Sequence, residues 1–225
     1  MPAGTYYVQV NDYDDNDLIP SYTMAFTAQP CITPQTLTLN STGAQDGWIL
    51  ESSELGNKGS TLNSLATTIN LGDDTSKKQY RDILSFNTGA GLPDTAVITA
   101  ITLKVKKQGS SGPGNPITTF QGFMLDIKKG IFGTKGLLQA SDFQATASKS
   151  YGPFKPTLAN GWYSFDLTNA KSYFNKLGTS SGLTQIRLRF KLDDNNNTVA
   201  NMLRLYSGNA PTANRPQLII TYYIP

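Results

Sequence analysis

Histidine is absent from this chain, which removes the commonest general base and the commonest metal ligand at once. A Ser-His-Asp triad, a Cys-His pair and a histidine-ligated zinc site are excluded. Cysteine is nearly absent too. Cys31 is the single one, so no internal disulfide can close and no cysteine cluster can hold a metal. It reads as a small side chain buried near a domain junction. Charge is sparse, and a net charge of +3 is too small to point to nucleic acid. No apolar run approaches the roughly 20 residues that span a bilayer, so no membrane insertion is expected. The opening residues Met1-Pro2-Ala3-Gly4 lack the charged and apolar regions of a signal peptide. The chain therefore reads as a piece of a longer protein whose export signal would lie upstream.

What is present is strand signal. Many Thr, Ser, Asn and Gly accompany the low charge, which suits short strands joined by polar turns. Val97 to Lys107 alternates, with Ile101, Leu103 and Val105 on one face and Thr102, Lys104 and Lys106 on the other. Phe123, Leu125 and Ile127 alternate with Met124, Asp126 and Lys128. Tyr163, Phe165 and Leu167 share one side of another segment. The clearest case runs from Gln185 to Leu192: Ile186, Leu188, Phe190 and Leu192 point inward, Gln185, Arg187, Arg189 and Lys191 outward. Leu37 to Asn40, Trp48 to Glu51, Ala66 to Leu71, Tyr80 to Phe86, Met202 to Ser207 and Pro216 to Ile224 complete the set.

Period-two patterning with one polar face predicts antiparallel strands. About ten of them without long helices predict an all-β fold, an antiparallel β-sandwich or jelly roll. One short helix is expected at Thr168 to Leu177, with Ala170, Tyr173, Phe174 and Leu177 on a stripe, and a single turn near Ser141-Asp142-Phe143. Gly109 to Pro116 reads as an exposed glycine-proline loop. Tyr6 to Val10 and Tyr22 to Thr27 flank an acidic turn and read as a hairpin, with a linker around Pro30, Cys31 and Pro34. The division expected is an N-terminal hairpin and linker, 1–33, before a sandwich, 34–225. An isolated hairpin is marginal in water, so burial of Tyr6, Val8, Val10 and Tyr22 by docking is expected.

Several short motifs, taken in order, carry a family likeness: Gln45-Asp46-Gly47-Trp48-Ile49, Tyr80-Arg81-Asp82-Ile83-Leu84-Ser85-Phe86, Leu92-Pro93-Asp94-Thr95-Ala96, Asn160-Gly161-Trp162-Tyr163-Ser164-Phe165, Asn201-Met202-Leu203-Arg204-Leu205 and Arg215-Pro216-Gln217-Leu218. From about Thr38 to the end, their order and spacing resemble the DNRLRE-type domain of secreted bacterial and archaeal proteins. Gly4 to Val10 and Ser21 to Phe26 resemble the last strands of a pre-peptidase C-terminal sandwich. The resemblance implies a jelly-roll accessory domain, secreted or at the cell surface, often beside hydrolases, with some relatives similar to carbohydrate-binding modules. It also implies other domains of a parent protein as partners.

The candidate ligand contacts are the outward cations Lys104, Lys106, Arg187, Arg189, Lys191 and Arg204. If their strands share a sheet, they form one cationic face for an acidic polysaccharide or cell-surface glycan, since guanidinium forks pair carboxylates and sulfates. The same charges can simply solvate an outer face. Tyr151 and Phe154, in a Gly/Pro-containing loop, are the candidate exposed rings for sugar stacking, whereas Trp48 and Trp162 read as core. Asp46, Asp193, Asp194 and Asn195 are candidate ligands of a structural calcium ion, although Asp193 to Asn197 also has turn-forming composition; no other cofactor is required. The cluster Asp12, Asp14, Asn16 lacks the sixth-position glycine and twelfth-position Glu of an EF-hand. Asp73-Asp74 reads as a charged surface loop. Glu51 and Glu54 lie three apart, facing opposite sides of a strand, which argues against a catalytic acid pair. The function expected is a non-catalytic extracellular accessory module that binds carbohydrate, an anionic polysaccharide among the candidates, or that targets a larger secreted protein. The alternative is a structural subunit or spacer of a cell-surface protein or extracellular filament.

Overall fold

A computed structural model describes residues 5–10, 21–25 and 33–225, divided into units 1–33 and 34–225. In the first unit, residues 5–10 and 21–25 carry no assigned strand. Tyr6, Val8, Val10 and Tyr22 are exposed, so the burial expected of them is not found. The turn of the expected hairpin, its acidic cluster and Cys31 fall outside the described residues.

The second unit is the antiparallel β-sandwich that the alternation predicts. Its strands are β1 (Gln35–Asn40), β2 (Gly47–Glu51), β3 (Gly59–Asn63), β4 (Thr68–Asp73), β5 (Gln79–Asn87), β6 (Val97–Ser111), β7 (Phe123–Lys129), β8 (Lys149–Phe154), β9 (Trp162–Asp166), β10 (Leu183–Phe190), β11 (Asn201–Tyr206) and β12 (Gln217–Tyr223). One sheet has the order β1-β12-β6-β9. The other runs β6-β11-β4-β5-β10-β7-β8, with β2 on β5 and β3 on β2. β6 serves both sheets because it is 15 residues long. Its first part pairs β12 and β9 and its end pairs β11, across a register shift at Arg204 and Leu205.

The inward positions meet between the sheets. Ile101, Leu103 and Val105 face Leu84, Phe86, Leu125, Ile186, Leu188 and Phe190. Phe123 sits against Phe165, Phe190 and Tyr163, with ring centroids 5.1, 5.1 and 5.8 Å away. Such aromatic pairs add about 0.5–1.5 kcal/mol beyond area burial. A second, smaller cluster lies on the opposite face of the larger sheet: Ile49, Ile83, Phe132, Leu138 and Phe143. It exists because the segment between β7 and β8 folds back over that face.

Three expectations are corrected. The Thr168 to Leu177 helix is a 3-10 segment, Thr168–Tyr173. Ala170 and Phe174 are buried, but Leu177 is exposed, so the stripe is too short for an α-helix. Among the described residues the α-helical turns are α1 (Thr88–Gly91) and α2 (Pro116–Thr119), each capped by an Asn side chain. The exposed glycine-proline loop is shorter than expected: residues 112–115 form it, while Gly109–Ser111 extends β6 and Pro116 is buried at the start of α2. Asp73 is buried, not on a surface loop, and accepts from the Asn195 and Asn201 amides.

Two buried aspartates lie near the fork where β5 exchanges its neighbour. β5 pairs β10 as far as Asp82, then β4 at Tyr80 and Gln79. Burial pushes the Asp82 pKa well above the ordinary 3.8; the nearby Asn70 amide opposes this weakly and Asp46 adds to it. Neither Asp82 oxygen has a hydrogen bond of good geometry. Burial raises Asp46 to about 7 against the pull of its hydrogen-bond donors and Arg215. These include the Ser85 and Gly208 amides at 2.8 and 3.0 Å. A side chain at Gly208 would place a Cβ 2.6 Å from that carboxylate.

An acid that keeps its proton when folded but loses it near pH 4 when unfolded destabilises the fold as pH rises toward the folded pKa. For Asp46, lifted by burial from 3.8 to about 7, this corresponds to a loss on the order of 4 kcal/mol by pH 8. The melting temperature is therefore expected to fall between pH 4 and 8. Asp82→Asn is expected to flatten that slope and to melt several degrees above the parent at pH 8. A parent curve flat in pH, or an Asp82→Asn variant less stable at pH 8, would contradict this; scanning calorimetry across the range decides.

Candidate functional site

Asp126 is central to the site. It stands on β7 directly opposite Arg187 of β10 and Ser150 of β8, and it is buried. A carboxylate in that position is costly unless paired and hydrogen-bonded. Its Oδ2 receives Arg187 Nε at 2.9 Å, Arg187 Nη2 at 2.8 Å and Arg189 Nε at 3.0 Å. Its Oδ1 receives Ser150 Oγ at 2.6 Å and Arg189 Nη2 at 3.4 Å. Burial alone would raise the Asp126 pKa; Arg187, Arg189 and Ser150 outweigh it and hold the group below the ordinary range.

Arg187 is a tether as well as a counter-charge. Its Nη1 donates to the Asp142 and Ala145 carbonyls, both at 2.8 Å, and its guanidinium lies 4.8 Å from the Phe132 ring centroid. These contacts hold the β7–β8 segment on the sheet. Arg81 of β5 does the same one strand further on. It lies 3.9 Å over the Phe143 ring, donating from Nη1 to the Phe143 carbonyl at 2.7 Å and from Nε to Gln79 at 2.6 Å. Burial, then the charges of Arg187 and Arg189, lower the Arg81 pKa to about 10.

Between these groups lies a cavity of about 500 Å3. Arg81, Arg187, Arg189 and Lys149 line it with Asp126, Asn57 and the Gln144 to Ala147 backbone stretch. Four cations thus face one carboxylate. Arg187 is fully engaged by Asp126 and the loop carbonyls, so the donors left to a ligand are Arg81 Nη2, the outer edge of half-buried Arg189, and exposed Lys149. The buried Asp142 carboxyl lies nearby but outside the lining. Burial raises it to about 6, opposed by the Gln139 amide and Arg187.

The basic residues picked out in the sequence do not gather on one sheet face. Arg187 and Arg189 share the pocket. Lys104 and Lys106 lie on the outer side of the other sheet, 5.2 and 5.6 Å from the Trp162 ring. Arg204 of β11 sits opposite Asn70 and Gly109, and Lys191 is exposed just past β10; neither lines the pocket. Tyr151 and Phe154 are not exposed platforms. They belong to β8 and pack against the main core, Tyr151 donating to the Asn169 carbonyl and Phe154 meeting the Phe165 ring edge-on. Trp48 and Trp162, expected in the core, are half-buried, Trp48 beside Tyr80 on the core-side face of β2 and Trp162 on the outer face of β9.

The proposed calcium ligands do not converge. Asp46 precedes β2, and its oxygens accept the Ser85 and Gly208 amides. Asp193 acts on Glu51, at the far end of β2, about 16 Å along an extended strand. Asp193 and Asp194 accept the amides of Asp194 and Asn196, and Asn195 accepts that of Asn197, which is turn chemistry. Among the described residues no group of three or more acidic, Cys or His side chains is placed to hold a metal. Glu54 pairs with Lys77 while Glu51 accepts the Asn57 and Gln79 amides, so the two carboxylates serve separate partners.

Sequence reasoning missed Arg81, Lys149 and the covering segment. The signal was Phe132, Leu138 and Phe143, apolar residues in a stretch without strand alternation. No protein-family model matches the chain, and no curated protein matches it. Among the described residues no helix is long and apolar enough to cross a membrane.

Removing Arg187 leaves Asp126 buried with its main partner gone, so Arg187→Met is expected to cost about 3–5 kcal/mol in urea unfolding. Asp126→Leu with Arg187→Met is expected to recover much of that, since an apolar pair can replace a buried ion pair. A loss in the double variant equal to the sum of the losses in Arg187→Met and Asp126→Leu alone would show that the pair is not coupled.

Proposed function

We propose that this chain is a non-catalytic module that binds an acidic polysaccharide, carboxylated or sulfated, through the Arg81, Arg189 and Lys149 donors of the arginine pocket. The observation that carries the reading is the excess of four cationic side chains over one carboxylate around a 500 Å3 cavity. Planar guanidinium forks match carboxylate and sulfate oxygens, and a cluster of like charges in one depression draws anions to it. Asp126 is ionised and saturated with donors, so it is not poised to deliver a proton. The motif order that resembles DNRLRE-type domains supports an extracellular or cell-surface setting and the carbohydrate class.

Calorimetric titration with polygalacturonate, dextran sulfate and neutral dextran tests this. Saturable binding of the first two is expected, weakening as salt rises. The variant Arg189→Ala with Lys149→Ala is expected to lose at least tenfold in affinity. Equal binding of neutral dextran, or none of any polymer, would reject the reading and leave the spacer alternative.

A further inference from the structure

The outer face of the four-stranded sheet carries a second arrangement unconnected with the pocket. Register places Trp162 of β9 opposite Lys106 of β6, and Ser164 opposite Lys104. Lys104 lies opposite Gln217 of β12, and Gln217 opposite Asn40 of β1. One row therefore crosses all four strands, over about 14 Å at the usual strand spacing. Every member of it is a neutral hydrogen-bonding group or a cation.

At the β9 end, both lysine ammonium groups gather on the Trp162 indole, at 5.2 and 5.6 Å from its ring centroid. Lys106 Nζ also donates to Asn214 Oδ1 at 2.7 Å. Both charges are thus held near one aromatic ring, and neither joins the ion pairs seen among the described residues. Asp166, the acid on this face of β9, is one pair further along and accepts the Thr168 amide. A half-exposed indole offers apolar surface to a sugar ring, while two ammonium groups with no carboxylate partner among the described residues are complementary to acidic substituents on the same chain. The row of Ser164, Gln217 and Asn40 supplies hydroxyl partners along the direction in which a polymer would continue.

We infer that the Trp162, Lys104 and Lys106 cluster, with the row through Gln217 and Asn40, is a second binding site for acidic polysaccharide, so that the module is bivalent. This rests on the acidic-polysaccharide reading above but uses different residues on the opposite sheet. Bivalence would let one chain bridge two polymer strands and would raise avidity for a polymer that reaches both sites.

The test is the stoichiometry of a size-defined sulfated dextran oligomer in calorimetry, with melting temperature checked for each variant. Two oligomers per chain are expected for the parent. One is expected for Lys104→Ala with Lys106→Ala, and also for Trp162→Ala. One is expected, at the other site, for Arg189→Ala with Lys149→Ala. Long dextran sulfate is expected to cross-link the parent and raise light scattering, and either set of variants is expected to abolish that rise. One oligomer per parent chain, lost only in the pocket variant, would overturn the second site and leave the pocket. One oligomer lost only in the sheet variants would uphold this site and overturn the pocket. No binding overturns both.

Discussion

A buried carboxylate on the covered face of a sheet sets the terms for the rest of this site. Asp126 must be paired where water does not reach it, and the strand register leaves Arg187, Arg189 and Ser150 to do so. Pairing holds Arg187 Nε and Nη2 on Asp126, and Nη1 then donates to the carbonyls of Asp142 and Ala145. The segment between β7 and β8 is drawn down, bringing Phe132, Leu138 and Phe143 onto Ile49 and Ile83. Arg81 is caught over Phe143 as a result. A cavity with surplus positive charge follows from a chain of contacts that begins with one acid.

The same residue type behaves in opposite ways elsewhere in the sandwich. Asp82, buried without good partners, is pushed toward its neutral form, and Asp46 titrates near neutrality despite accepted hydrogen bonds. Asp126, no better exposed by area, is held ionised because two guanidinium groups face it. Proximity of cations, more than depth, separates a carboxyl that organises a charged pocket from one that acts as a pH-dependent weakness in the core.

Alternation made the sandwich legible. Ile186, Leu188 and Phe190 are inward on β10, as are Ile101, Leu103 and Val105 on β6. It failed where the chain lacks period-two contrast. β3, Gly59–Asn63, has Leu62 as its one apolar side chain of any size, and β8, Lys149–Phe154, is interrupted by Gly152 and Pro153. The polar faces were assigned to the right side but read as solvated. Arg187 and Gln185 do point away from the main core, yet both are buried, because periodicity along one strand cannot report a segment folded over it from elsewhere. Arg187 and Arg189 were legible as candidates; their union with Arg81, and their separation from Lys104 and Lys106, depend on sheet order, which β6 complicates by serving both sheets.

The most direct test of the pocket's assignment is the arginine Nε–H region of the 1H–15N spectrum, titrated with an oligogalacturonate. Arg187, locked between Asp126 and the loop, should give a signal that is slow to exchange and little displaced. The Arg81 and Arg189 signals should shift together and saturate at one ligand concentration. Saturable binding that leaves both of those signals unmoved would contradict the assignment of this pocket as the anion site.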